Sequence, residues 1–432
     1  MGNSLVITVL LVSFVITLLM GVEICYGLGF SALLACLMIG IQPTALFQIF
    51  IGKIANSSLM AIPFFILMGE FMNSGGISSR LVRLADSLVG WMRGGLAMVN
   101  CVDSMFFGGI SGSPVSDCAS LGPIIIPMMT EQGYDKEFST AITMTSSIQG
   151  MIIPPSHTLV LFAVTAGGVS IAALYMGGII AGILLGVSLM VYCGIISRKR
   201  NYPYGSKFSI KNIYYSLKET IWGLIAILIV VGGVFVGLMT ATEAAAAAAV
   251  YSFIVAFFIH REAKWSDLPG MFVRTAKTCA QTLFLAAAAF AFSWIVTYLR
   301  IPQTVTKILL TVSENKYVIL LIINAILIFL GCFMNTSSII LIMVPILLPV
   351  VQRYGMHPVQ FGIMLTMNLG IGLITPPVGS VLFVGSAISG IKLEPLIKET
   401  LPQLLTMFIA LMLVTYIPEI STFLPSVFGY IS

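Results

Sequence analysis

Apolar residues fall in long runs along this chain, at about 4–20, 24–42, 58–73, 95–130, 138–168 and 171–196. They resume at about 219–238, 243–260, 277–298, 317–352, 360–390 and 400–428. A helix needs roughly 20 apolar residues to cross a hydrocarbon core about 30 Å thick, so these runs predict an all-α polytopic membrane protein. The polar stretch SRKRNYPYGSKFSIKN (197–212) divides the two groups and carries Arg198, Lys199, Arg200, Lys207 and Lys211. The positive-inside rule places this densest basic loop in the cytoplasm.

The two groups match residue by residue at an offset of 222 positions, without gaps. Gly109 meets Gly331, Ser116 meets Ser338, Pro123 and Pro127 meet Pro345 and Pro349, and Gly133 meets Gly355. Gly150 then meets Gly372, Pro154 and Pro155 meet Pro376 and Pro377, and Gly168 meets Gly390. An ungapped register that pairs PxxxP, a glycine and a PP dipeptide reads as a duplicated unit. The expected organisation is a first repeat (1–196), a basic linker (197–218) and a second repeat (219–432).

Each unit is broken twice. The run 95–130 is interrupted by FGGISGSPVSD (107–117), which predicts a re-entrant hairpin with a polar tip. The run 138–168 is interrupted by SSIQGMIIPPSH (146–157), where Pro154 and Pro155 remove two backbone donors and turn Ile153 away from helical geometry, predicting a broken helix. The matching places are GCFMNTSS (331–338) in a hairpin at about 317–352, and NLGIGLITPPVGS (368–380) in a broken helix at about 360–390. With three leading helices, the broken helix and a final one, each unit crosses an odd number of times, so the second repeat is expected to be inverted and both termini to lie outside. The segment 75–95, with Arg80, Arg83, Asp86 and Arg93 along an apolar stripe, predicts an interfacial arm helix.

Composition fits this picture. The chain has 432 residues, 9% of them charged and 58% hydrophobic, too few charges to cover a soluble surface. Its net charge of +5 comes from Lys and Arg at segment ends, which bears on orientation and gives no support to nucleic-acid binding. The seven cysteines lack CxxC or metal-type spacing and read as small buried hydrophobes. The N-terminal run lacks a basic n-region and a small-residue cleavage site, so it is expected to be a retained helix.

Unwound segments persist in a membrane only where they are buried in protein or line a wet cavity. A helix that stops there presents bare carbonyls, suited to Na⁺, and one that starts there presents amides, suited to a carboxylate. The expected cation ligands are Gly109, Ser111, Ser113, Ser116, Gly150, Ile153 and Ser156 in the first repeat. Those in the second are Gly331, Asn335, Thr336, Ser338, Gly372, Thr375 and Val378. Candidate solute contacts are Ser113, Pro154, Pro155, His157, Asn335, Thr375, Pro376 and Pro377. The bland reading of Ser, Thr and Gly, that they let helices pack closely, suits a lone motif better than four breaks in one register.

Glu23, Glu70, Asp103, Asp117 and Glu243 are the acids inside apolar runs. Glu243 closes TATE (240–243) and reads as a capping box with Thr240. Asp117 is divided between capping and attracting a cation, and Asp103 between helix packing and an electrostatic role. His157 reads foremost as passive polar lining. The sequence has no HExxH, GxSxG or P-loop motif, so an enzyme or an ATP-driven pump within this chain is disfavoured. No organic cofactor is expected.

At AIPFFILMGEFMNSGG (61–76), SGSPVSD (111–117), MIIPPS (151–156), TATEAAAAAA (240–249) and IGLITPPVGSVLFV (371–384), the sequence resembles the large membrane (M) subunit of tripartite ATP-independent periplasmic (TRAP) transporters, DctM- or SiaM-like. Ala241 departs from the family pattern, which often has Pro there. The resemblance implies an elevator-type importer in the bacterial inner membrane, coupled to Na⁺. It also implies a small membrane subunit (Q), a periplasmic substrate-binding protein (P) and a small organic acid as substrate. The nearest rival is a stand-alone Na⁺-coupled carrier of organic anions that takes its solute directly. An ion channel fits two inverted copies in one chain poorly.

Overall fold

The computed structural model describes residues 3–205 and 207–431. Among the described residues, proline, glycine and capping residues divide the apolar runs into 21 α-helices. The first half holds α1 (Asn3–Leu19), α2 (Ile24–Ile39), α3 (Pro43–Ile54), α4 (Ala61–Ser74), α5 (Ile77–Val89), α6 (Gly95–Ser111) and α7 (Pro114–Glu131). It continues with α8 (Lys136–Ser147), α9 (Gln149–Ile152), α10 (His157–Thr165) and α11 (Ile171–Lys199). The second half holds α12 (Ile210–Phe235), α13 (Ala241–Ile254), α14 (Leu268–Tyr298), α15 (Ile301–Val312), α16 (Lys316–Phe333) and α17 (Thr336–Arg353). Last come α18 (Pro358–Gly372), α19 (Ser380–Ser389), α20 (Leu393–Tyr416) and α21 (Glu419–Val427).

Among the described residues, seven helices are long and apolar enough to cross a membrane, and two bent pairs bring the total to nine. The protein is an all-α, multi-pass membrane protein. Between the apolar runs 24–42 and 58–73, where the sequence predicted no element, the structure has α3: it begins at Pro43, whose fixed φ suits a first helical turn, and its axis is bent by 56° from that of Ser58–Ser74.

Helix starts recur at the 222-residue spacing: Pro114 and Thr336, Lys136 and Pro358, Ile171 and Leu393. The PP dipeptides at 154–155 and 376–377 are both cis. Thr240 and Glu243 form the capping box expected from TATE, with Thr240 N–H donating to Glu243 at 2.8 Å and Glu243 N–H donating to the Thr240 hydroxyl at 3.3 Å. The arm segment is a helix, α5, which buries Ile77, Leu81, Val82, Leu84 and Ala85 against α6 and α12. Six of the seven cysteines are buried.

The central basic loop is tied down at several points. Arg200 bridges Asp135 (3.0 Å) at the α7–α8 turn and Glu399 (2.9 Å) on α20. The Tyr202 hydroxyl donates to Asp135 at 2.6 Å, and burial, reinforced by that carboxylate, pushes it up to about 12. Gly94 N–H donates to the Pro203 carbonyl at 2.9 Å, and Arg93 reaches Asn201 at 2.7 Å. At the same time Arg80 pairs with Glu262 (2.5 Å) and His260 contacts the Gly75 carbonyl (3.0 Å), joining the α4–α5 turn to the α13–α14 junction.

Candidate functional site

The site grows out of two hairpin tips. In the first, α6 ends at Ser111, Gly112 takes the left-handed conformation that ends a helix (φ +62°), and Pro114 opens α7. The Ser111 hydroxyl accepts from Ser113 N–H (3.1 Å) and donates to Asp117 Oδ1. In the second tip, α16 ends at Phe333 and Asn335 caps α17, its Oδ1 accepting from Ser337 N–H at 3.0 Å.

Behind each tip runs a broken helix. Residues 136–152 and 157–165 are bent by 46°, and Ser156 caps the second piece, accepting from Leu159 N–H at 3.3 Å and donating to the Met151 carbonyl at 2.5 Å. In the second half the chain from 373 to 379 is unwound, and Gly379 N–H donates to the Cys332 carbonyl (3.1 Å), lacing break to tip. Hairpin and broken helix cross on glycines. A methyl group at Gly108 would overlap the Gly150 backbone, and one at Gly372 would come within 2.7 Å of Gly331 Cα. Gly108 is the residue that faces Gly150, while Gly109, one of the expected cation ligands, lies against the Pro154 carbonyl.

Tips and breaks from both halves close on one cavity of about 500 Å³, whose lining α4 and α14 complete. Of the residues singled out in the sequence, Ser111, Ser113, Ser116, His157, Gly331, Asn335, Thr336 and Val378 line it. The others lie behind that surface. Gly150 and Gly372 form the glycine crossings, Ile153 packs its side chain on Gly182 of α11, and Thr375 donates to the Ile371 carbonyl at 2.7 Å. Ser156 is spent on its cap and Ser338 is buried in α17. Gly109, Pro154, Pro155, Pro376 and Pro377 shape the backbone around the cavity without facing it.

Charge is unevenly placed. Asp103 and Asp117 are fully buried in the arms of the first hairpin. Neither oxygen of Asp103, nor Oδ2 of Asp117, has a hydrogen-bond partner among the described residues, and Asp117 Oδ2 lies against Gly150. Unpaired buried carboxylates are costly unless a cation or a proton joins them. Asp117 does not cap α7: the N-cap position is Ser113, Asp117 sits within the first turn, and its one bonded oxygen accepts from Ser111. The rest of the lining includes Ile66, Gly69, Glu70 and Asn73 of α4 and Thr278 and Thr282 of α14. Glu70 pairs with Arg274, whose Nη2 and Nε lie 2.8 and 3.1 Å from Glu70 Oε2. The sequence reading missed the α14 face; its signal was Arg274, Thr278 and Thr282 at helical spacing along an otherwise apolar segment.

A family model described as the DctM component of the tripartite ATP-independent periplasmic transporters matches residues 11–420. The chain belongs to the DctM family. Its relatives include a protein of Salmonella typhimurium called YgiK, 39% identical over 98% of each chain. The isethionate TRAP transporter permease DctMQ of Oleidesulfovibrio alaskensis is 40% identical over 95% of this chain and 65% of its own. The sialic acid TRAP transporter large permease SiaM of Vibrio cholerae is 38% identical over 89% and 90%. As a DctM-family chain it is a transporter permease rather than an enzyme. Its fold is also similar to that of the YdaH transporter of Alcanivorax borkumensis, with a TM-score of 0.63, 14% identity and 86% and 87% of the chains covered.

Proposed function

We propose that this DctM-family permease takes up a small organic acid together with Na⁺ through the cavity between the hairpin tips and α4 and α14. The observation that carries this reading is the convergence of both tips and both helix breaks on one cavity, which brings bare helix ends and hydroxyls to a single place. Tips and breaks touch, Gly379 N–H donating to the Cys332 carbonyl and Gly112 lying against His157, which supports reading the tips as re-entrant hairpins. The recurrence of helix starts at 222 positions supports two repeats, inverted if each crosses an odd number of times.

On this reading the coupling ions are held by backbone carbonyls and hydroxyls at the tips and breaks. The hairpins and broken helices move as one body past a scaffold containing α4 and α14, which is an elevator. The solute is an anion: the names of the relatives include isethionate, C4-dicarboxylates and sialic acid, all acids. The family's tripartite name supports a periplasmic binding protein that delivers it, and the longer relative whose name joins M and Q supports a small Q subunit beside this chain. The basic loop at 197–212 orients the chain with that loop in the cytoplasm and both termini in the periplasm of an inner membrane.

The test is uptake of labelled succinate, sialic acid and isethionate into proteoliposomes holding the chain and its Q subunit, with and without an inward Na⁺ gradient and the cognate binding protein. Uptake of one acid that requires all components is the expected result. Uptake without the binding protein would replace this reading with a stand-alone carrier, and uptake indifferent to Na⁺ would remove the cation sites.

A further inference from the structure

The cavity poses an electrostatic problem for an anionic solute. Among the described residues lining it there is no Lys or Arg, and Glu70 is the one acid. A carboxylate entering beside Glu70 would be repelled unless that charge is balanced. The balancing group is Arg274, which lies beside the lining rather than in it, bonded to Glu70 and one turn before Thr278 and two before Thr282 on α14. The pair is unevenly used. Both Arg274 donors fall on Glu70 Oε2, and the arginine side chain is 57% exposed against 27% for Glu70, so the remaining guanidinium N–H groups stay open. An arginine fork can hold one carboxylate and still present a second edge.

We propose that Arg274 is the exchangeable counter-ion of this site: it holds Glu70 when the cavity is empty and turns its guanidinium to the solute's carboxylate or sulfonate when the cavity fills. Glu70 then acts as an internal competitor that keeps Arg274 aimed at the cavity and lets the solute leave again. The proposal rests on the organic-anion reading above and adds the residue that recognises the charge. Arg274 here is a specificity residue, distinct from the tip and break residues assigned to the coupling ion.

The discriminating measurement is cavity occupancy, which does not require turnover. In membranes holding the intact complex, a Thr282→Cys variant is labelled with a maleimide in the presence of increasing succinate, sialic acid or isethionate, and protection gives an apparent affinity. Arg274→Gln is expected to weaken protection by about tenfold or more, the scale of one charged hydrogen bond, and Arg274→Lys to recover part of it. Glu70→Gln is expected to shift it the other way, to tighter protection, because the competitor is gone. If the pair is only a staple between α4 and α14, both single variants weaken protection alike and the swap Glu70→Arg with Arg274→Glu restores it, and the proposal is overturned. Protection that survives Arg274→Gln unchanged overturns it too, while leaving organic-acid transport intact. If none of the three acids protects the otherwise unaltered site, the substrate class itself falls, and the counter-ion role with it.

Discussion

At Gly108 the side chain is set by what lies across from it. The two helices cross there with their backbones in contact, so Gly108→Ala must push the first hairpin off its broken helix, an overpacking cost of about 1–3 kcal/mol. The melting temperature of the purified complex should fall for Gly108→Ala and not for Gly232→Ala, where a methyl group meets nothing within 4 Å. The 222-residue offset pairs Gly331 with Gly109, since position 330 is Leu, yet the crossing equivalent to that of Gly331 is made by Gly108. The first tip has one more residue between its crossing glycine and its second arm than the second tip has, and that difference becomes visible only in three dimensions. His357 gives a second test at this scale. It caps α18 by accepting from Val359 N–H through Nδ1 at 3.1 Å, and burial holds its pKa below the usual histidine value. A depressed pKa contributes stability above the unfolded value, about 6.5, and loses it as pH falls through the folded value. Part of the thermal destabilisation between pH 7 and pH 5 should therefore vanish in His357→Asn, which keeps an acceptor that cannot be protonated.

At the scale of elements, the breaks were legible in the sequence because Pro and Gly act locally: each PP dipeptide forbids a helix wherever the chain goes. The same logic located the TATE cap and the amphipathic α5. The helix α3 was not legible, since it occupies residues left between the apolar runs 24–42 and 58–73, where Gln48 and Lys53 thin the apolar content of a 12-residue helix. Nor was the anchoring of the central loop, because Asp135, Arg200 and Glu399 are scattered in sequence and meet only after three helices have packed. Arg200 is one-third exposed, so its two bridges lie between the exposed and the buried regimes. Arg200→Gln should cost about 1–3 kcal/mol, read as a lower melting temperature. Asp135→Asn should cost less, because Arg200 keeps Glu399.

For the whole molecule, the question is which parts move together. Asn73 of α4 donates to Ser120 of α7 at 3.1 Å, a contact between the α4–α14 wall and a hairpin arm. If hairpins and wall slide past each other, a disulfide between Asn73→Cys and Ser120→Cys, formed by mild oxidation, should abolish uptake, and reduction should restore it. Uptake that survives complete cross-linking would mean that the two bodies need not part.

The buried acids of the first hairpin have no partners in the second half: the positions 222 residues after Asp103 and Asp117 are Ala325 and Ile339. Two copies of one backbone plan therefore surround their breaks with different fields. On the sodium-coupled reading, the ion beside Asp117 would be held more firmly than its counterpart and would leave after it. Uptake plotted against Na⁺ concentration should then rise in two separated steps, and Asp117→Asn should draw them together into one.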